Sequence, residues 1–301
     1  MPILAHPEYT RAAIADCLAQ SVPIRLLLIN QGVGDDFRAL LEAIAEEYSD
    51  RVLLWNHQPP LPSLSATWNR ALDCVWQAGG EEALVVNNDV RLNSRTAEYL
   101  QDAREHFDAL FVSAVGVTPE QFDPTADPYV TSFQVVPKGG PDFSCFLISH
   151  ACHDRFRFDE AFTPAFCEDL DFHRRLMLAG EGARIFSVNL PYLHYGSATI
   201  KSIDAPARMK LDRAIAQGSR AYYAKKWGGP VNAETLQAPF GEDGVSGYNQ
   251  GQAFTPRLQA RVAQGLPPIG CPTHDDQPID VCPICVAEQQ AFAEEYDGQT
   301  S

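Results

Sequence analysis

Three short runs of this chain hold the side chains whose types and spacing could do chemistry. Asn87-Asn88-Asp89 closes the apolar run Ala83-Leu84-Val85-Val86. Glu168-Asp169-Leu170-Asp171 packs three carboxylates into four residues, and His194-Tyr195-Gly196-Ser197 follows another apolar stretch. Carboxylates suit Mg²⁺ or Mn²⁺, and an imidazole can join them for Mn²⁺. Such a cation neutralises charge on a diphosphate leaving group. A positioned carboxylate can also take a proton from a hydroxyl nucleophile. Asp89 and His194 are therefore candidate cation ligands. Each motif also has a plainer reading: Asn-Asp after a strand is turn chemistry, an acidic pair favours a helix N-terminus through the dipole, and a lone histidine can belong to a core.

The spacing of apolar residues shows what must position these groups. Pro2–Ala5 predicts a short strand, and residues from Glu8 to Gln20 a helix. The run from Arg25 to Asn30 predicts a strand buried on both faces. Gln31-Gly32-Val33-Gly34-Asp35-Asp36 is loop chemistry. Phe37, Leu40, Leu41, Ile44 and Tyr48 recur at helical spacing, Val52–Trp55 predicts a strand, and Leu64, Trp68, Leu72, Val75 and Trp76 a helix. Further strands are expected at Ala83–Val86, Ala109–Val115, Phe143–Ser149 and Ala183–Val188. Further helices are expected at Leu170–Leu178 and about Pro206–Lys226. Residues 116–141, rich in Pro, Gly, Asp and Thr, read as a long functional excursion. The alternating order implies an α/β fold with a mostly parallel sheet covered by helices. Such sheets bind ligands beyond the carboxyl ends of their strands, where Asn30, Asn56 and Asp89 fall.

Composition limits the function classes. The chain has 301 residues, 45% hydrophobic, with a formal charge of −16. That balance does not advertise nucleic-acid binding by the whole molecule. No apolar stretch approaches the roughly 18 residues that span a bilayer, and no signal peptide is evident. A cytoplasmic location is the expectation. Cys17, Cys74, Cys145, Cys152 and Cys167 are scattered and read as reduced and buried.

Taken together, the motifs between residues 2 and 229 resemble GT-A glycosyltransferases of the family 2 type. The resemblance implies a Rossmann-like, nucleotide-diphospho-sugar transferase fold. It makes Asn87-Asn88-Asp89 a variant DxD motif, His194 a late metal ligand, Asp169 the general base, and Glu168 and Asp171 its orienting or acceptor-binding neighbours. Ile29-Asn30-Gln31-Gly32 stands where the family contacts the nucleotide base. Asn69 matches an Asn-Arg helix. Asp142, in Gly139-Gly140-Pro141-Asp142-Phe143-Ser144, stands where donor sugar and acceptor usually meet. Tyr222-Tyr223-Ala224-Lys225-Lys226-Trp227-Gly228 resembles a terminal Tyr…Lys-Trp-Gly element. Donor contacts are thus expected from Asn30, Gln31, Asp35, Asn56, Asn69, Asn88, Asp89, Asp142 and Lys226. The chain departs from the family at Gln31, where Asn or Asp is usual, and at Asn87-Asn88-Asp89, which supplies one carboxylate in place of two. The implied activity is metal-dependent, inverting transfer of a hexose from a nucleotide sugar, with a UDP-sugar favoured, to an acceptor hydroxyl.

A separate signal lies near the end of the sequence. Cys271-Pro272-Thr273-His274 and Cys282-Pro283-Ile284-Cys285 stand seven residues apart. Cys271, His274, Cys282 and Cys285 match a closed, structural Zn²⁺ site. Beyond Arg261 there is no Lys or Arg, so this module suits packing or protein contact better than phosphate binding. The expected organisation is a GT-A domain over 1–235, a linker or wrapping arm over 236–268, and a zinc knuckle with an acidic tail over 269–301. The appended module suggests a large acceptor: a glycan first, then a protein, then a hydroxylated DNA base. DNA would need the basic stretch from Lys201 to Lys226 as a phosphate track. A different class stays open, a catalytically inactive GT-A-like protein that uses its zinc module for binding.

Overall fold

The computed structural model describes residues 1–57, 61–124, 133–135, 140–196, 198 and 204–241. The four expected zinc ligands lie outside the described residues. The chain divides into two units. The first comprises residues 1–61, 67–153 and 182–202; the second comprises 62–66, 154–181 and the chain from 203 onward.

Both sheets belong to the first unit. Strands β1 (Pro2–Ile3), β2 (Leu26–Asn30) and β3 (Val52–Asn56) form a parallel three-stranded sheet in the order β1-β2-β3. Helix α1 (Pro7–Leu18) links β1 to β2, and α2 (Asp35–Glu47) links β2 to β3. Asp35 and Asp36 occupy the first turn of α2, where acidic side chains complement the helix dipole. Helix α3 (Leu64–Gln77) follows; the Ser63 hydroxyl caps its start, accepting from the Ala66 N–H at 3.1 Å.

The second sheet runs β4-β8-β6-β9-β5. Its strands are β4 (Glu82–Val86), β5 (Val90–Arg91), β6 (Phe111–Val117), β8 (Cys145–Ser149) and β9 (Ile185–His194), with β7 (Phe133–Val135) also paired to β9. The β6–β9 pair is parallel, whereas β8 runs antiparallel to both β4 and β6, and β5 and β7 run antiparallel to β9. Parallel pairing is thus strict in the first sheet and mixed in the second. Helix α4 (Thr96–His106) precedes β6, and α5 (His150–Arg155) follows β8. The 116–141 excursion contains the end of β6 and the whole of β7. Ile3, Leu28, Leu41, Val112, Leu147 and Val188 are core residues of this unit. All five scattered cysteines are free, and all but Cys74 are buried, as expected.

The second unit is helical. Helix α6 (Glu168–Leu178) stops at Ala179-Gly180, as the sequence predicts. The expected long helix over Pro206–Lys226 is interrupted. It is α7 (Ala205–Ile215), then a π-helical turn over Ala216–Arg220, then α8 (Ala221–Trp227). Asp204 caps α7 by accepting from the Ala207 N–H at 2.8 Å. Helix α8 ends at Gly228, whose φ is +72°. A Cβ there would lie 2.5 Å from Leu236 Cγ, so glycine is needed for both conformation and space. Phe162, Tyr222, Tyr223 and Trp227 form this unit's apolar cluster, with Phe240 packed against it. Arg174 donates to the Leu236 carbonyl at 2.7 Å. Residues 236–241, expected as the start of a linker, are therefore packed against the helices.

Candidate functional site

Strand register brings Asp89 to His194. Val90 of β5 stands opposite His194 of β9, and Arg91 opposite Leu193. Asp89, one residue before the pairing begins, places its Oδ1 3.4 Å from His194 Nε2, and its carbonyl accepts the Tyr195 N–H at 3.0 Å. Oδ2 lies 3.4 Å from the Ala198 N–H. Burial pushes the Asp89 carboxyl up, but the hydrogen bond and charge of His194 and the Ala198 N–H outweigh it, leaving the carboxyl below its usual value. Helix α1 braces this end of the sheet. Asp16 takes Arg91 Nε at 2.6 Å and Nη2 at 3.1 Å, and Tyr9 stacks on Tyr195 with ring centroids 4.2 Å apart.

Several expected donor contacts are instead drawn into the frame. Asn30 is 0% exposed. Its Oδ1 accepts the Gly32 and Val33 N–H groups at 3.0 Å each, and its Nδ2 donates to Asn56 Oδ1 at 2.8 Å. This is an Asx turn that shapes the loop after β2. Asn56 is held by Asn30 and lies 3.4 Å from Glu42. Asn88 Nδ2 reaches the Ala5 carbonyl at 2.6 Å and Thr10 Oγ1 at 2.8 Å, tying β4 to α1. Asn69 Oδ1 meets His153 Nε2 at 3.0 Å, while His153 Nδ1 accepts Trp76 Nε1–H at 2.9 Å. That fixes the histidine proton on Nε2, aimed at Asn69. Asp35 is exposed and pairs with Arg38 at 2.8 Å.

Two of the expected donor contacts keep unspent groups. Gln31 is buried; its Oε1 accepts the Leu61 N–H at 2.8 Å, and its Nε2 has no partner. Asp142 Oδ1 accepts the Ser144 N–H at 2.8 Å. Beside it, the fully buried Tyr192 hydroxyl has no hydrogen-bond partner. Burial first, then the Asp142 and Cys145 charges, hold that phenol far above its usual range, so it keeps its proton.

In the second unit, the acidic motif separates into different environments. Asp171 is 0% exposed and binds three donors: Arg175 Nε at 2.8 Å, Lys226 Nζ at 2.7 Å and Trp227 Nε1 at 2.9 Å. Lys226, also 0% exposed, reaches Asp159 Oδ2 at 2.6 Å as well. Of the expected diphosphate contact Lys226 and the expected orienting or acceptor-binding Asp171, the structure makes the first a buried counter-ion and the second an anchor for three donors. Burial raises the Asp159 carboxyl, but the Lys226 charge and hydrogen bond overcome it and leave it below the usual value.

Glu168 and Asp169 start α6. Phe166 and Cys167 just before them have φ of 76° and 69°, a turn that non-glycine residues seldom adopt. Ser219, in the π-helical turn, places its Oγ 2.9 Å from the Thr163 carbonyl and 2.6 Å from that of Ala165, pinning the segment that leads in. π-Turns of this kind often occur at functional sites, and no periodicity in the sequence announces this one. Glu168 is buried and its Oε2 has no partner. Burial, then the charges of Asp169 and Asp171, raise its carboxyl to about 8. Asp169 is half-buried, and its Oδ1 accepts the Leu170 N–H at 2.8 Å. Arg208, Lys210, Arg213, Arg220 and Lys225 lie along α7 to α8; Lys201 falls outside the described residues.

No family model matches the chain, and no curated protein matches it. Among solved structures, it is similar to the mannosyltransferase PcManGT from Pyrobaculum calidifontis, solved with GDP-Man and Mn²⁺. That alignment has a TM-score of 0.55 at 12% identity and covers 99% of this chain and 81% of that one. It also aligns with S. aureus TarS at a TM-score of 0.48 and 13% identity, over 71% of this chain and 42% of that one. A third alignment, with GalNAc-T7 solved with UDP, GalNAc and Mn²⁺, has a TM-score of 0.46 at 9% identity, over 72% of this chain and 48% of that one. The chain thus spans less than half the length of these last two proteins. The likeness to PcManGT, at 12% identity, is one of fold, and it agrees with the parallel β1-β2-β3 sheet, its helices, and the mixed sheet that carries Asp89 and His194: this chain has the GT-A fold of the glycosyltransferases.

Proposed function

We propose that this protein transfers a hexose from a nucleotide-diphospho-sugar to an acceptor hydroxyl with inversion, using Mn²⁺ or Mg²⁺. The observation that carries the reading is the meeting of Asp89 and His194, 3.4 Å apart, where β5 starts and β9 ends in a GT-A fold. A carboxylate oxygen and an imidazole nitrogen converging on one point fit such a cation. Among the described residues no group of three or more His, Cys, Asp or Glu is gathered as a metal site. Asp89 and His194 would therefore form the protein's share of a sphere completed by diphosphate oxygens and water. When bound, the cation supplies charge neutralisation for the nucleoside diphosphate as it leaves.

The chain's own residues do the rest. Gln31 offers an N–H donor to the nucleotide base, since its carbonyl oxygen is already committed to Leu61. Asp142 contacts the sugar. Asp169 takes the proton from the acceptor hydroxyl. Glu168, neutral at pH 7, keeps a second negative charge away from Asp169 and has a proton to donate. A UDP-sugar remains the first donor to test; the GDP-Man of PcManGT makes GDP-sugars the second.

Thermal shift with UDP- and GDP-sugars, each with and without Mn²⁺, followed by donor turnover with glycan, protein and hydroxymethylated DNA acceptors, tests the reading. Mn²⁺-dependent stabilisation by one donor and transfer to one acceptor class supports it. Equal stabilisation with and without metal by every nucleotide sugar sinks it. No described helix is long and apolar enough to cross a membrane. From sequence alone we also infer that Cys271, His274, Cys282 and Cys285 hold one Zn²⁺; a Cys282→Ser protein that keeps stoichiometric zinc and an unchanged melting point removes that site.

A further inference from the structure

Tyr192 and His194 are two residues apart on β9, so they share a face. Their rings lie 6.3 Å apart between centroids, at 27°. On the neighbouring strand Gly116 stands in register with Tyr192. A Cβ at position 116 would come within 2.8 Å of Asp142 Oδ2 and 3.4 Å of the Tyr192 hydroxyl. The Asp142 carboxylate, the Tyr192 hydroxyl and the Gly116 backbone therefore meet at one point, one ring away from the candidate cation ligand His194. Two groups there keep capacity for a ligand. Asp142 Oδ1 is committed to the Ser144 N–H at 2.8 Å, which leaves Oδ2 as the second acceptor of that carboxylate. The Tyr192 hydroxyl is buried without a partner. A buried phenol left unpaired is costly, and a charge-assisted bond to a carboxylate is strong. A small turn of Asp142 would join the two.

We propose that this cluster reads a hydroxyl of the transferred sugar: Asp142 Oδ2 accepts the hydroxyl, Tyr192 sets the angle of Asp142 by donating to it, and Gly116 leaves the space in which both fit. The inference rests on the glycosyl-transfer reading and deepens it. The sugar is the part of the donor attached to the diphosphate, so a hydroxyl reader belongs beside the cation ligands. Tyr192 is a positioning residue, because it acts through Asp142. A site that hydrogen-bonds a substrate hydroxyl discriminates far better than an apolar one, since the wrong substrate leaves a buried polar group unpaired. One carboxylate oxygen held at a fixed angle distinguishes hydroxyl epimers.

The test compares the wild type with Tyr192→Phe and Gly116→Ala. Each protein is assayed for KM and kcat with UDP-glucose against UDP-galactose and with GDP-mannose against GDP-glucose. Melting temperature and the Kd of bare UDP and GDP with Mn²⁺ are measured alongside. Tyr192→Phe keeps the ring and removes only an unpaired hydroxyl, so it should melt at or above the wild-type temperature and bind the bare diphosphate unchanged. Its donor KM should rise about 10-fold and its epimer preference fall about 10-fold, the worth of one charge-assisted hydrogen bond. Gly116→Ala should lose the same preference by displacing Asp142. An active wild type with Tyr192→Phe and Gly116→Ala variants of unaltered KM and epimer ratio overturns this proposal and leaves the transfer reading standing. A wild type that neither binds nor turns over any nucleotide sugar overturns both.

Discussion

The end of strands β5 and β9 and the start of helix α6 handle buried charge in opposite ways. At the strand ends, Asp89 faces His194, which is itself titratable and 24% exposed, and the Ala198 N–H at 3.4 Å, with no permanent cation between them among the described residues. The charge there is left partly open. Around α6, Lys226 and Arg175 meet Asp159 and Asp171, two cations against two carboxylates, and all four are buried. Glu168 lies on the same helix but outside that balance, with an unpartnered oxygen. Charges that hold a fold are compensated inside it, because an unpaired buried charge is expensive. Charges left under-compensated are the better candidates for ligand work. By this measure Asp89 separates from Lys226 and Asp171; Glu168, held neutral with an unpartnered oxygen, also stands apart from them, although all four looked alike as motif residues.

The comparison breaks most visibly at Asp89. Asp89→Ala should lower transfer by about 10³-fold, the scale of several kcal/mol of cation stabilisation. It should also abolish Mn²⁺-dependent stabilisation by nucleotide. Full activity of that variant in EDTA would show that the strand-end pair holds no cation. Next comes Asp169→Asn, nearly isosteric but unable to accept a proton at neutral pH. It should fold normally, bind donor, and lose about 10²- to 10⁴-fold in kcat; retaining a tenth of wild-type kcat contradicts the role.

The closed side of the comparison is tested by stability rather than rate. Lys226→Met leaves Asp159 and Asp171 facing each other with one counter-ion fewer. Removing one partner of a buried ion set costs about 3–5 kcal/mol, to be read as a lower urea midpoint. If the variant unfolds at the wild-type midpoint but loses nucleotide binding, Lys226 is a ligand contact after all.

The smallest expected effect is in pH dependence. The Glu168 carboxyl is raised to about 8 in the folded chain from a usual value of 4.5. The folded state therefore holds a proton that the unfolded chain releases. The stabilisation from Glu168 is fully present below pH 4.5 and is lost as pH rises through about 8. Melting temperature measured from pH 5 to pH 8 should fall more steeply in the wild type than in Glu168→Gln, which carries no titrating carboxyl. Parallel curves would mean that Glu168 already has a partner and belongs with the closed set.

Much of the frame was legible because it depends on local periodicity. The apolar run Leu26–Asn30, the helical spacing from Phe37 to Ile44, and the order of acidic helix, Ala-Gly stop and His-bearing strand all appear in the structure where the residues put them. Strand β5 was not legible: it is two residues long, too short for any alternation to register. Yet β5 is what carries Asp89 to His194. The roles of the asparagines were also hidden. Asn30, Asn69 and Asn88 are the residue type a ligand site uses and equally the type an Asx turn or an inter-element tie uses.

By itself, the sequence determined the α/β class, the positions of most helices and strands, and the set of carboxylates and histidine worth considering. Only the tertiary structure decided which of those groups are spent. Tyr192 became a candidate because its register partner is Gly116 and its hydroxyl has no bond. Lys226 ceased to be a ligand candidate because two carboxylates from distant parts of the chain close on its ammonium. Residue type and spacing record what a side chain can donate or accept. Whether that capacity is already used depends on partners far away in the chain, 67 positions between Asp159 and Lys226 and 109 between Asp89 and Ala198, and those distances are set by packing rather than by local pattern.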